Sequence, residues 1–233
     1  MSVITFASSK GGAGRTTSAI ALASGLVPGN RVVLIDADPA RRLTAWAGRK
    51  KLPPYLQAWT SGGESMIRGE IDRARSRAAF VILDLEAAAT ELNALAMAQS
   101  DLVLVPMGDD RQDAEAAVET LARLMRLGRA LGRDIPVRIL FTRTRKAKSP
   151  LQKSLNDRMR ARVGCLAWEL PDAPAYSALH GQGGPLWSLD REVPERAHAT
   201  ARARLVAEEV EGILKSLRLR DLPTGAKEAA HAV

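Results

Sequence analysis

The 233-residue chain contains one cysteine, Cys165. That excludes a disulfide framework and any metal site built from several thiolates, and it fits a reducing compartment. Cys165 opens an apolar stretch and is expected in the core rather than as a nucleophile. Aromatic residues are scarce, at 4%. Trp46, Trp59, Trp168 and Trp187 stand singly, so packing is their expected role and none offers a stacking platform for bases. No stretch reaches the roughly 18 consecutive apolar residues of a membrane span. The opening SVITFASS lacks a basic region, so no secretory leader is expected either. His180, His198 and His231 are too far apart for metal-ligand spacing and are expected at the surface. The expected localisation is cytoplasmic.

What is present is apolar and basic. A hydrophobic content of 46% is enough for one sizeable core. One domain is expected over residues 1–218, with a flexible tail from 219 to 233. The net charge of +8 points towards polyanions, nucleic acid first. Eight basic residues between Phe141 and Arg162 (Arg143, Arg145, Lys146, Lys148, Lys153, Arg158, Arg160 and Arg162) face a single acid, Asp157. Most charge runs are solvated surface. This one is too one-sided for paired surface charge, and those eight residues are the candidate DNA-contacting set.

Short β-branched runs alternate with helical patterns. Strands are predicted at Val3–Ala7, Arg31–Ile35, Tyr55–Thr60, Ala79–Leu83, Leu102–Pro106, Val137–Thr142 and Cys165–Leu170. Helices are predicted at Thr17–Leu26, Asp110–Leu131, Leu151–Val163 and Pro194–Leu217. The second of these carries Ala114, Val118, Leu121 and Met125 on one face. The last carries Val206, Val210, Ile213 and Leu217. Such alternation predicts an α/β fold, a doubly wound and mainly parallel sheet covered by helices on both faces. Ligands then bind beyond the carboxyl ends of the strands.

Three strand ends carry chemistry. The first runs into SSKGGAGRTTSA, close to the phosphate-loop pattern G-x-x-x-x-G-K-[ST]. Its Gly11, Gly12 and Gly14 let backbone amides turn inward, and a helix N-terminus follows. Thr16 offers a hydroxyl to Mg²⁺ and Thr17 one to a phosphate nearer the base. Ser9 stands where the first glycine would be, and Arg15 where the lysine would be. VVLIDADP ends the second strand on Asp36 and Asp38; FVILDLE ends another on Asp84. Acids at two later strand ends supply Mg²⁺ ligands and a group to orient water, the parts that phosphoryl transfer needs.

KGGAGRTT with LIDADP resembles the deviant Walker A ATPases of the ParA/MinD superfamily, and the resemblance covers nearly the whole chain. It implies a phosphate cradle of Lys10, Gly11, Gly12, Ala13, Gly14, Arg15, Thr16 and Thr17, with ATP and Mg²⁺ as cofactors. Lys10 matches the lysine that reaches the partner's phosphates in an ATP-sandwich homodimer. Thr16, Asp36 and Asp84 match the groups around Mg²⁺, and Asp38 the acid that positions water. Pro171, in ELPDAPAYSALHGQGGPLWSL, matches the adenine neighbour. The asparagine that often reads adenine is missing, with Thr142 and Arg143 in its place. DLEAAATELN looks more like the corresponding region of the VirC-type accessory ATPases of T-DNA transfer.

Arginine is longer and planar where lysine is a compact point charge. Binding through the glycine amides, Thr16 and Mg²⁺ is expected to survive; turnover is the doubtful step, because misplacement by about 1 Å can cost on the order of 10²-fold. The expected activity is therefore weak Mg²⁺-dependent ATP hydrolysis by a catalytic set of Lys10, Arg15 and Asp38. It would serve plasmid or chromosome partition or recruitment of a DNA-transfer complex, with nucleoid association through nonspecific DNA contact. No helix-turn-helix is read ahead of the first strand, so a DNA-binding or relaxosome-type partner is expected to choose the site. Two alternatives stand beside this: a nucleotide-independent scaffold, motivated by Arg15, and a MinD-like membrane switch using LKSLRLRDL. The tail carries Glu228 and no aromatic anchor, so a membrane partner is not expected.

Overall fold

The computed structural model describes residues 1–220. Seven strands form one sheet, and every pairing in it is parallel. In chain order the elements are β1 (Ser2–Phe6), α1 (Arg15–Leu26), β2 (Val32–Ala37), α2 (Arg42–Arg49), β3 (Leu56–Thr60), α3 (Ile67–Arg75), β4 (Phe80–Leu85) and α4 (Glu91–Ala98). They continue with β5 (Leu102–Met107), α5 (Arg111–Leu131), β6 (Val137–Thr144), α6 (Pro150–Arg162), β7 (Leu170–Pro171), α7 (Pro174–Gln182) and α8 (Arg196–Arg220). The order across the sheet is β3-β2-β4-β1-β5-β6-β7. Strand β1 is central, so the glycine loop after it opens at the point where the strand order changes direction.

Strand residues alternate between the two faces. Ile4, Phe6, Leu34, Ile82 and Leu104 pack beneath α1, α2, α7 and α8. Val3, Val33, Ile35, Val81 and Leu83 lie on the opposite face, beneath α3 and α4. Val103, Val105 and Ile139 continue that face beneath α5 and α6. Helices α1 and α8 approach most closely at Gly25, where a Cβ would collide with the Ala203 carbonyl oxygen and stand 2.8 Å from the Ala207 Cβ. Local signals set the helix ends. Ser149 and Gln152 form a reciprocal capping box with Pro150 at the first turn of α6, and α5 stops at Gly132 in a left-handed conformation.

The all-parallel, doubly wound sheet matches the predicted fold class, and six predicted strands fall within two residues of those observed. The seventh is a correction. Cys165 makes only an isolated bridge to Ile139, and β7 is two residues long, at Leu170–Pro171. Cys165 itself is partly buried, packs at the margin of the core, and has its thiol pushed up by burial. A second correction concerns α5, whose core-facing residues include Ala114, Ala117 and Leu124, while Val118 and Met125 are 54% and 61% exposed. Helix α8 extends two residues past the expected boundary at 218. The rest of the expected tail, with Glu228 and His231, lies outside the described residues. No helix among those described is long and apolar enough to cross a membrane.

Candidate functional site

Strands β1, β2 and β4 place the acids side by side. Asp36 and Asp84 are partners in the parallel register, and Phe6 pairs with Asp84 from the other side. The loop after β1 therefore arches over Asp84. Gly12 and Gly14 hold it at φ of 75° and 94°, values that a side chain would strain, and α1 starts immediately after Gly14. Ser9, in the place of the usual first glycine, anchors the loop to α5: its amide donates to Thr120 Oγ1 at 2.9 Å and its hydroxyl to the Ala116 carbonyl at 3.0 Å.

Thr16 Oγ1 donates to Asp84 Oδ2 at 2.6 Å. The other carboxylate oxygen of Asp84 is buried and has no partner among the described residues. Burial pushes this carboxyl up to about 7, against the opposing pull of Thr16 and Arg15. A buried carboxylate with one orphaned oxygen and a threonine hydroxyl on the other is suited to a divalent cation. Among the described residues no group of three or more His, Cys, Asp or Glu could hold a metal by itself. This fits Mg²⁺, which commonly takes one or two protein ligands and completes its sphere with phosphate oxygens and water.

Arg15 is buried and lies folded beneath the loop. Its Nε donates to the Leu85 carbonyl at 2.7 Å, and Nη1 donates to the carbonyls of Lys10 at 2.9 Å and Ser8 at 3.3 Å. Nη2 lies 3.8 Å from Asp38 Oδ2. Burial lowers the affinity of this guanidinium for its proton, and Asp84 and Asp38 oppose that. The fork donors of arginine thus tie the loop to the end of β4, a bracing role that the single ammonium of lysine could fill only in part.

Asp36 and Asp38 are set differently. Asp36 Oδ2 accepts from the Thr44 amide at 2.7 Å and hydroxyl at 2.6 Å, and Oδ1 accepts from the Asp38 amide at 3.2 Å. Asp38 accepts from the Ala40 amide at 2.8 Å and faces Arg15 and Arg42. Lys10 Nζ is bound within its own chain to Asp113 Oδ1 at 2.7 Å, and Asp113 Oδ2 accepts from Arg143 at 2.9 Å.

Beside the loop, a cavity of about 150 Å³ is lined by Gly14, Thr17, Thr142, Arg143, Pro171 and Tyr176. Pro171, expected beside adenine, lines this cavity together with Gly14 of the glycine loop. Two groups that the sequence reading missed complete the cavity. His180, expected at the surface, is half-buried with Nε2 2.8 Å from Thr17 Oγ1, whereas His198 is exposed. Burial lowers the His180 pKa, and Arg42 and Arg49 lower it further. The Tyr176 hydroxyl is buried without a partner among the described residues.

The basic segment divides in two. Arg143 pairs with Asp113, Lys148 with Asp109 and Glu169, and Arg160 with Glu169 while lying over the Phe141 ring. Arg145, Lys146, Lys153, Arg158 and Arg162 are exposed with no carboxylate within salt-bridge distance among the described residues.

Known proteins agree with this architecture. The family described as VirC1 protein matches residues 1–220. The chain is similar to a protein named ParA from Rhizobium radiobacter, 33% identical over 213 residues that cover 89% of this chain and 95% of that protein. Cyanothece McdA, solved as an ATP complex, has a TM-score of 0.71 at 16% identity and covers 91% of this chain and 96% of its own. The MinD cell division protein of Aquifex aeolicus has a TM-score of 0.70 at 16% identity, covering 91% and 98%. With the matching family spanning every described residue and a ParA relative at one-third identity, the chain belongs to the VirC1 family and is a relative of ParA.

Proposed function

We propose that this chain is an ATP- and Mg²⁺-binding switch that dimerises on ATP and contacts DNA, serving partition or assembly of a DNA-transfer complex. The observation that carries the nucleotide reading is the Thr16–Asp84 hydrogen bond beneath the glycine loop, with the second Asp84 oxygen left unpartnered. Thr16 and Asp84 would hold the cation, which when bound neutralises phosphate charge. The amides of Gly11 to Thr16 wrap the phosphates, and Thr17 offers its hydroxyl nearer the base. Pro171 and Tyr176 wall the cavity in which the base would sit. Asp36 acts through Asp38, holding its backbone so that the Asp38 carboxylate orients water. Arg15 braces the loop, and Lys10, once released from Asp113, reaches the phosphates of a second copy.

Titration of a fluorescent ATP analogue, with and without Mg²⁺, tests the reading. Wild type should bind in a Mg²⁺-dependent manner, and Thr16→Ala should lose most of that dependence. Absence of binding under both conditions would favour the nucleotide-independent scaffold.

DNA contact rests on the five exposed basic residues that no carboxylate among the described residues neutralises, Arg145, Lys146, Lys153, Arg158 and Arg162. Phosphate contacts of this kind carry no sequence information and weaken steeply with salt. Mobility shifts of a random duplex across a salt series, with ATP, ADP and no nucleotide, measure both properties.

A further inference from the structure

The predicted apolar face of α5 is real as a pattern, yet the fold leaves much of it uncovered. Val118 and Met125 stand 54% and 61% exposed, two turns apart on that helix. Across from them α6 presents Leu151, 69% exposed, followed at four-residue intervals by Leu155 and Met159. The two stripes do not close on each other. Between them run a groove of about 970 Å³ along the first half of α5 and the length of α6, and another of about 710 Å³ towards the far end of α5. Arg162 and Val163 line both, so the two form one trough. From Ala114 to Gly132 its α5 wall is about 27 Å long at 1.5 Å per residue.

The rim of the trough is basic. Arg145, Arg158, Arg162 and Arg129 line it, and none has a carboxylate within 4.0 Å among the described residues. The acids there are largely spent. Asp109 is buried against Lys148 and Asn156, and Glu115 pairs with Arg111. Asp110 and Asp134 are the exposed acids that remain.

We infer that the trough between α5 and α6 docks an acidic amphipathic helix of a partner protein. A helical apolar stripe on each wall offers a third helix the ridges and holes it needs, and uncompensated guanidinium groups flank the apolar floor. Charge complementarity fixes the sign of the partner. DNA would use the arginines and leave Val118, Met125 and Leu151 idle, because phosphate contacts need no apolar floor.

The test uses the full chain and a fluorescein-labelled synthetic peptide of 16 residues, with leucines on one helical face and glutamates elsewhere. Fluorescence anisotropy compares it with a scrambled peptide of the same composition and with a lysine-for-glutamate version. The amphipathic acidic peptide should bind at least about tenfold more tightly than either. Val118→Ser with Leu151→Ser should reduce that binding by about tenfold or more, with circular dichroism melting unchanged, since both sites are exposed and neither substitution alters charge. Duplex DNA binding by the same variant should match wild type. Equal binding of the scrambled or lysine peptide overturns the inference, as does indifference to the double substitution or a parallel loss of DNA binding. A nucleotide-free dimer of the wild-type chain that the double substitution dissociates also overturns it, because a second copy would then fill the trough.

Discussion

Lys10 Nζ stands 2.7 Å from Asp113 Oδ1, so the lysine expected to serve a second subunit is held within its own chain. Asp113 is almost fully buried and shares its other oxygen with Arg143, which lines the cavity beside the glycine loop. A ligand that engages Arg143 would weaken the hold on Asp113 and so release Lys10. Asp113→Asn removes the charge that retains Lys10 at nearly constant volume. A partly exposed pair contributes about 1 kcal/mol, and a dimer breaks one in each subunit, so the protein concentration at half-dimerisation with Mg²⁺-ATP should fall about thirtyfold. Analytical ultracentrifugation measures this. An unchanged midpoint would show that the pair does not restrain assembly.

Substitution of Arg15 tests binding and turnover separately. Arg15→Lys restores a compact ammonium but loses the fork that joins the Leu85, Lys10 and Ser8 carbonyls. Phosphate release per subunit should rise, by up to about 10² if placement alone limits the wild type. The melting temperature should fall, because buried carbonyls lose donors worth about 1 kcal/mol or more each. A phosphate assay alongside calorimetry reads both, and a variant neither faster nor less stable would refute the bracing role.

Asp84 yields a pH signature. Its folded-state pKa, about 7, exceeds the ordinary 3.8, so the folded chain holds a proton that the unfolded chain releases. That contribution to stability is present at low pH and is lost as pH rises from about 4 through 7. Asp84→Asn should abolish this slope and melt at or above wild type at pH 8 without Mg²⁺. Mg²⁺-ATP should then raise the melting temperature of wild type and leave the variant nearly unmoved. A variant stabilised equally by Mg²⁺-ATP would remove Asp84 from the cation site.

These residues also show what could be read from sequence alone. The glycine loop and the acids of LIDADP and ILDLE were legible because each needs only local chemistry at a strand end. Regular strand–helix alternation made the parallel sheet legible. Asp113 and Arg143 were not legible as a pair with Lys10, since 103 residues separate Lys10 from Asp113 and only the sheet order joins them. His180 lies 163 residues from Thr17 and looked like an isolated surface histidine for the same reason. The periodicity of α5 gave a true apolar face but not its partner. Beneath α5, small residues such as Ala114 and Ala117 sit closest to the sheet and leave the larger side chains outside.

His180 predicts the opposite pH trend. Burial beside Arg42 and Arg49 lowers its pKa below 6.5, so the unfolded chain binds the extra proton first. The neutral ring therefore contributes stability above pH 6.5, and this is lost as pH falls towards the folded-state pKa. His180→Gln keeps a hydrogen-bonding side chain near Thr17 and should flatten this part of the melting curve between pH 5 and 7. An unaltered slope would place the titration elsewhere.

The contact between α1 and α8 gives the simplest stability test. Gly25 leaves no room for a Cβ against Ala203 and Ala207, and both helices are pinned to the sheet by Ile20, Leu22, Val206 and Val210. Gly25→Ala adds helix propensity worth about 1 kcal/mol, but overpacking costs about 1–3 kcal/mol and more where backbone must move. The clash is with a carbonyl oxygen inside α8, so backbone must shift and overpacking should win by about 2 kcal/mol. Ala203→Gly in the same chain opens space only near its own Cβ, not at its carbonyl, and should fail to rescue. Ala207→Gly removes the Cβ that stands 2.8 Å away and should recover part of the loss. Urea denaturation of the single and double variants distinguishes these outcomes. A Gly25→Ala protein as stable as wild type would mean that α8 slides freely over α1.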